Sequence, residues 1–139
     1  MKKILLLMSL SIVAISCSKK EEANLEAFSP EAFAYDIGDS WEVNATVNVK
    51  GFTRTEIGDE FSASIEYSVD LSGPESLILK QIFADSIVTS GEELIDVQLE
   101  AQFELDYESP EGLYKITFNI TDNKSGETTS THAEFELKK

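Results

Sequence analysis

Cys17 and His132 are the only cysteine and the only histidine in this chain of 139 residues. A single cysteine has no partner for a disulfide within the chain, and a single histidine cannot build a histidine-rich metal site. The CxxC, HExxH and GxGxxG patterns are also missing from the sequence. A triad hydrolase would need His132 as its base, yet strand periodicity puts His132 on a polar face. We therefore predict no catalytic, cofactor-binding or metal-ligating residue, and no enzyme.

Carboxylates are the remaining side chains that could do chemistry, by binding calcium or by cleaving glycosidic bonds. The candidates for a calcium site are the acidic residues Asp59, Glu60, Asp106, Glu108 and Glu111 in predicted loops. Loops at alternate ends of a β-sandwich would spread the acidic residues over both ends, and the EF-hand spacing is absent. Solvated loop carboxylates are therefore the favoured interpretation, and we predict no cofactor, with calcium as the alternative. A domain of this size offers no evident cleft for a two-carboxylate glycosidase.

Charge excludes one class of partner. The chain has 26 Asp+Glu against 11 Lys+Arg, which gives a formal net charge of −15. Such a surface repels phosphate backbones, so we predict no nucleic-acid partner. The length suggests one domain, and 42% hydrophobic residues are enough for a packed core.

The first residues have the pattern of a targeting segment. Lys2 and Lys3 precede an almost wholly apolar run over residues 4–15, which is too short to span a bilayer. Ala14 and Ser16 then precede Cys17. This segment resembles a bacterial lipoprotein signal peptide, although many such signals carry Leu where this chain has Ala14. The resemblance implies that residues 1–16 are removed and that Cys17 becomes the lipidated N-terminus, with a diacylglycerol thioether and an N-acyl chain. Its implied partner is a membrane, bound through the lipid anchor.

Two further short motifs agree with a cell-envelope location. Ser18-Lys19-Lys20-Glu21-Glu22 resembles the lipoprotein export signal of Bacteroidota, which implies display on the outer face of the outer membrane; a generic polar linker is the alternative. Asp85-Ser86-Ile87 resembles the O-glycosylation acceptor of the same group, which implies a glycan on Ser86. Residues 17–38 are interpreted as a lipidated tether, in which Ser29-Pro30 either starts a helical turn or stays extended.

Residues 39–139 are predicted to form an all-β domain of six to seven strands. Apolar and polar residues alternate in five segments that begin near Trp41, Phe61, Ile95, Tyr114 and Ala133. Residues 77–88 lack this alternation, so they are either a central strand buried on both faces, with a short strand after it, or an amphipathic helix. Among the aromatics, Trp41 and Tyr67 are predicted core residues, and Phe52 and Tyr107 are candidates for exposure near strand ends.

One local motif narrows the fold. Glu111-Gly112-Leu113-Tyr114 resembles the tyrosine corner of immunoglobulin-like domains, with Gly112 and Tyr114 as the signature residues. The resemblance implies an antiparallel sandwich like that of the disulfide-free fibronectin-III-like and cadherin-like domains. Function does not follow from such a fold. We expect a lipid-anchored, surface-exposed module with a non-enzymatic binding, adhesion or accessory role and a protein or glycan partner; the alternative is an enzyme or glycan-processing subunit of an outer-membrane complex.

Overall fold

The computed structural model describes residues 24–139, so Cys17 and both N-terminal motifs lie outside the described residues. Within this range the chain forms eight β-strands and no helix. The strands are β1 (Glu26–Asp36), β2 (Ser40–Lys50), β3 (Thr55–Ile57), β4 (Glu60–Gly73), β5 (Leu77–Gly91), β6 (Asp96–Asp106), β7 (Gly112–Asp122) and β8 (Thr128–Leu137). The predicted all-β fold is confirmed. Residues 39–139 form seven strands, β2 to β8, within the expected six to seven, and β1 is an additional strand before them.

The strands form two antiparallel sheets. Sheet A has the order β1-β2-β6. Sheet B contains the other five strands. Four of them follow the order β3-β4-β7-β8, and the fifth, β5, also pairs with β4. The alternation seen in the sequence turns one face of each strand inward, so that β2 is buried at every second residue from Trp41 to Val49. The buried side chains of the two sheets meet in one hydrophobic core, the arrangement of a β-sandwich.

β1 lies where the sequence led us to expect a tether up to residue 38. Residues 26–36 pair with β2 instead, from Glu26 opposite Lys50 to Asp36 opposite Trp41. The alternation of apolar and polar residues does not reveal this strand, for two reasons. The register shifts between Phe28 and Glu31, around Ser29 with its positive φ of 50°, and the inward positions then carry small Ala32 and Ala34.

β5 settles the ambiguous segment 77–88 as a strand. The prediction of a central strand buried on both faces is wrong, because among residues 24–139 β5 pairs only with β4, at an edge of sheet B. A single strand also replaces the expected pair of shorter ones. Its alternation is lost at a bulge, where Gln81 has a positive φ of 50° and the register with β4 shifts. Its edge position explains why so much of it is exposed.

Candidate functional site

Ser86, the predicted acceptor of a glycan, lies on β5 and is exposed to solvent. It is opposite Glu66 of β4, on the outer face of sheet B. There it borders a shallow, polar depression of about 520 Å³, whose other walls include Asn119 and Thr121 of β7. The side chain is therefore sterically accessible to a modifying enzyme, although β5 rather than a loop carries it.

Tyr114 and Gly112, the predicted corner residues, lie at the start of β7. The Tyr114 hydroxyl donates a hydrogen bond to the carbonyl of Pro110 at 2.7 Å. Burial raises the pKa of Tyr114, as does the negative charge of Glu75 to a lesser extent. Gly112 has φ of 134°, and an added Cβ there would lie 3.0 Å from the ring of Pro74. Both residues therefore hold the chain reversal before β7 in place, and neither is arranged for catalysis.

Asp122 is a fully buried charged residue at the end of β7. Its carboxylate accepts hydrogen bonds from the backbone N–H of Thr53 at 2.7 Å, the backbone N–H of Lys124 at 2.9 Å and the hydroxyl of Ser125 at 2.9 Å. Burial opposes ionisation of this carboxyl, but the hydrogen bonds outweigh it and lower its pKa. Asp122 therefore joins the β7–β8 turn to the segment that follows β2, which is a structural role.

Asp70 on β4 has a comparable role at the bulge of β5. Its carboxylate accepts a hydrogen bond from the backbone N–H of Gln81, with 2.9 Å between N and Oδ1. This hydrogen bond is the largest of the effects that lower the pKa of Asp70. Its carboxylate also contacts the amide of Asn119 at 3.0 Å and the ammonium group of Lys80 at 3.2 Å. The carboxylate thus satisfies a backbone group that the bulge leaves without a ladder partner.

The calcium candidates do not converge. Among residues 24–139, no group of three or more Asp, Glu, His or Cys side chains is placed to hold a metal ion. Asp106 instead accepts the backbone N–H of Glu108 at 2.9 Å, and Glu111 accepts that of Lys139 at 2.7 Å. His132 is exposed on β8, opposite Thr117.

The aromatic candidates are mostly core residues. Trp41 and Tyr67 are buried, in agreement with the sequence, but Phe52 is also buried, contrary to its expected exposure. Tyr107 is half-buried and stacks on Trp41, with ring centroids 6.0 Å apart. These four residues therefore do not form an exposed aromatic platform for a glycan.

A groove between the two sheets is the feature that the sequence did not reveal. β5 of sheet B approaches β6 of sheet A without pairing with it, and a cavity of about 340 Å³ lies between them. We call this groove the β5–β6 seam. Its floor consists of Tyr67, Phe83 and Ile87. Its rim consists of Asp85, Gln98, Glu100 and Gln102.

Tyr67 fixes the floor of the seam. Its hydroxyl donates a hydrogen bond to the carbonyl of Glu100 at 2.5 Å, and its ring lies 6.0 Å from that of Phe83. Burial raises the pKa of Tyr67, and the charge of Asp85 raises it further. The seam therefore combines an apolar floor with a negatively charged rim.

Comparison with known proteins shows only a weak structural similarity. The sequence matches no protein-family model and no curated protein. The chain is similar to the X-ray structure of Northeast Structural Genomics Consortium target SoR45, with a TM-score of 0.43 and 10% identity over 82% of this chain and 85% of that one. It is also similar to a protein from Archaeoglobus fulgidus, with a TM-score of 0.39 and 11% identity over 82% of this chain and 99% of that one. The described residues contain no helix with the length and apolar character needed to cross a bilayer.

Proposed function

We propose that this protein is a cell-envelope lipoprotein, anchored in the outer membrane by lipid on Cys17, whose single immunoglobulin-like β-sandwich is a non-enzymatic binding, adhesion or accessory module. The observation that carries the proposal is the position of Cys17, directly after an apolar segment and a small residue. Two or more acyl chains on one residue suffice for stable attachment to a bilayer, whereas a single chain does not.

The pairing of the strands supports the immunoglobulin-like part of the proposal. In that fold the first, second, fourth and fifth main strands share one sheet, and the third, sixth and seventh share the other. Among residues 24–139 the fourth has no counterpart beside β6. If β3 is set aside as a short addition, β1, β2 and β6 correspond to the first group, and β4, β7 and β8 to the second. β5 then takes the place of the extra strand beside the third main strand. The hydrogen bond from Tyr114 to Pro110 has the character of a tyrosine corner and adds further support.

The two carboxylates with shifted pKa values favour a binding role over an enzymatic one. A general acid needs a raised pKa, whereas the carboxyl groups of Asp70 and Asp122 have lowered pKa values and are occupied by backbone donors. The depression beside Ser86 is open and shallow, with polar side chains that come from strands rather than from convergent loops. A module that meets its partner over an exposed strand edge fits these features better.

Replacement of Cys17 tests the anchor. In its native cells, the wild-type protein should sediment with membranes, leave them only with detergent, and begin at an acylated residue 17 by mass spectrometry. Cys17→Ser should release the domain into the soluble fraction or leave residues 1–16 attached. Ser18→Ala is the matched control and should behave like the wild type. A Cys17→Ser protein that remains membrane-bound and is cleaved at the same place would refute the proposed anchor.

A further inference from the structure

Two strand edges border the β5–β6 seam. Among residues 24–139, β5 pairs only with β4 and β6 pairs only with β2, so each strand has one edge without a strand partner. A β-strand edge carries backbone N–H and C=O groups that can pair with another extended chain. The edge of β5 is long, because the strand covers 15 residues.

β5 has only part of the usual protection of an edge strand, namely a bulge and the inward-facing Asp85. Such strands are commonly shielded by proline or by many charges, but Leu77–Gly91 contains no proline and only two charged residues, Lys80 and Asp85. Large apolar side chains are instead exposed along it, with 66% of Ile78 and 81% of Val88 accessible to solvent. Its bulge at Gln81 interrupts the edge near one end and leaves the segment from Phe83 to Gly91 in regular register with β4.

The other side of the seam is strongly acidic. β6 carries Asp96, Glu100, Glu104 and Asp106 and contains no basic residue, so its formal charge is −4, compared with 0 for β5. Glu100 and Asp85 line the seam itself, and neither belongs to an ion pair formed within residues 24–139. A chain that entered the seam would meet an apolar floor on one side and uncompensated carboxylates on the other.

We propose that the β5–β6 seam binds an extended cationic peptide segment, which adds to the free edge of β5 as a further antiparallel or parallel strand of sheet B. Alternate side chains of such a strand point to opposite faces. Apolar residues at every second position contact Phe83 and Ile87 on the floor. Lys or Arg residues between them lie on the opposite face of the strand, and their positive charge is attracted by Asp85 and Glu100 at longer range. This inference rests on the proposed role as a binding module and gives the chemistry of its partner.

A second copy of this chain fits the seam less well. Edge-to-edge pairing of two β5 strands would bring together two molecules that each carry a large negative charge, and with them two acidic β6 strands. A cationic peptide is attracted by the same charges, and long-range attraction accelerates its encounter with the seam.

The test uses the full-length protein purified in detergent and synthetic peptides of about ten residues, the upper end of the usual range of strand lengths. One peptide alternates valine and lysine. A second has the same composition, with all valines before all lysines, and so keeps the charge but loses the alternation. Fluorescence anisotropy at two salt concentrations gives Kd, and hydrogen exchange locates the protected amides. The alternating peptide should bind about tenfold more tightly than the block peptide, and it should protect β5.

Variants of the exposed rim separate the seam from general charge attraction. Gln98→Lys combined with Gln102→Lys adds two positive charges at the seam and should raise Kd for the alternating peptide about tenfold. Glu134→Lys on β8 changes the net charge by the same amount at the opposite edge of sheet B, and it should change Kd less than about twofold. Circular dichroism and melting temperature verify that all variants are folded.

Equal affinities for the two peptides, or equal effects of the two charge changes, would overturn the proposal in favour of non-specific attraction. Protection of β8 or β1 would overturn it as well. A doubled mass by sedimentation that Val88→Lys abolishes would assign the edge to a second copy instead. These results are independent of membrane fractionation. If the protein is lipidated but does not bind the peptide, only the inferred partner is refuted. If it binds the peptide but is not lipidated, only the proposed anchor is refuted.

Discussion

The hydroxyl of Tyr67 on β4 donates a hydrogen bond to the backbone carbonyl of Glu100 on β6, 33 residues further along the chain. This bond joins sheet B to sheet A at the floor of the β5–β6 seam. It supplies a partner for a carbonyl at the free edge of β6, which no strand within residues 24–139 would otherwise satisfy. The two sheets are thereby held together at the side where their edge strands do not pair.

Tyr67→Phe removes this bond while it keeps the ring in the core. The free energy of unfolding should fall by about 1 kcal/mol, because the carbonyl of Glu100 loses its protein donor. Urea denaturation followed by circular dichroism measures the change. Tyr35→Phe is the control, since Tyr35 is 53% exposed on β1 and the same substitution there should be close to neutral. Equal losses in the two variants would contradict the importance of the bond.

Gly73→Ala tests the close packing of β4 against the tyrosine corner. A Cβ on Gly73 would lie 2.5 Å from Cε1 of Tyr114, so the ring must move and strain its hydrogen bond to Pro110. We expect a loss of about 2 kcal/mol in the free energy of unfolding. Gly91→Ala is the matched control, because Gly91 also ends a strand and an added Cβ there meets no atom within 4 Å. A neutral Gly73→Ala would show that the corner tolerates the displacement.

Asp122→Asn removes the buried charge that joins the β7–β8 turn to Thr53. Because its three donors bind a carboxylate, we expect a loss of about 2 kcal/mol near neutral pH. The folded pKa lies below the usual value of 3.8, so the contribution of Asp122 is fully present above that value and disappears as the pH falls through the folded pKa. The gap in stability between wild type and Asp122→Asn should therefore narrow only in acid. A gap of constant size down to about pH 2 would contradict this assignment.

Calcium should leave the protein unchanged. The candidate carboxylates Asp59, Glu60, Asp106, Glu108 and Glu111 are not gathered into a metal-binding group among residues 24–139. A melting curve at millimolar Ca²⁺ should superimpose on one recorded with chelator. A rise in melting temperature that saturates with Ca²⁺, and that magnesium does not reproduce, would restore the calcium alternative.

A glycan on Ser86 should be visible in the mass of the native protein. Ser86 is exposed, and we expect the peptide that contains it to be heavier by a sugar mass in protein from its native cells. Ser86→Ala should abolish the increment, whereas Ser68→Ala, also on the outer face of sheet B, should retain it. An unmodified native peptide would refute the prediction.

The strands that were predicted are those that bury one face in the core. β2, β4, β6 and β7 alternate without interruption because each packs one face on the core, and β6 does so even at the edge of sheet A. The alternation of β1 and β5 was not recognised in the sequence, because a bulge interrupts it in each strand, at Ser29 and at Gln81. A positive φ at a residue other than glycine is not evident from composition, so the periodicity of these strands could not be followed across the bulge.

The seam could not be predicted, because it depends on which edges face each other. Tyr67 and Glu100 are distant in sequence and belong to different sheets. The alternation of β4 indicates that Tyr67 is buried, but not that its hydroxyl reaches β6.

The early start of β1 limits how far the proposed lipoprotein can reach. Asn24 packs beside Gly51 at one end of the sandwich, so only six residues separate it from Cys17 and the two residues are at most about 25 Å apart. Strands of eleven residues are about 36 Å long. The longest strand, β5, has 15 residues and is about 50 Å long, so if Cys17 is held in a bilayer no part of the domain stands more than about 75 Å above it. Such a short molecule is suited to neighbours in the same membrane rather than to contact across a wide gap between cells, which among the proposed roles favours that of an accessory subunit.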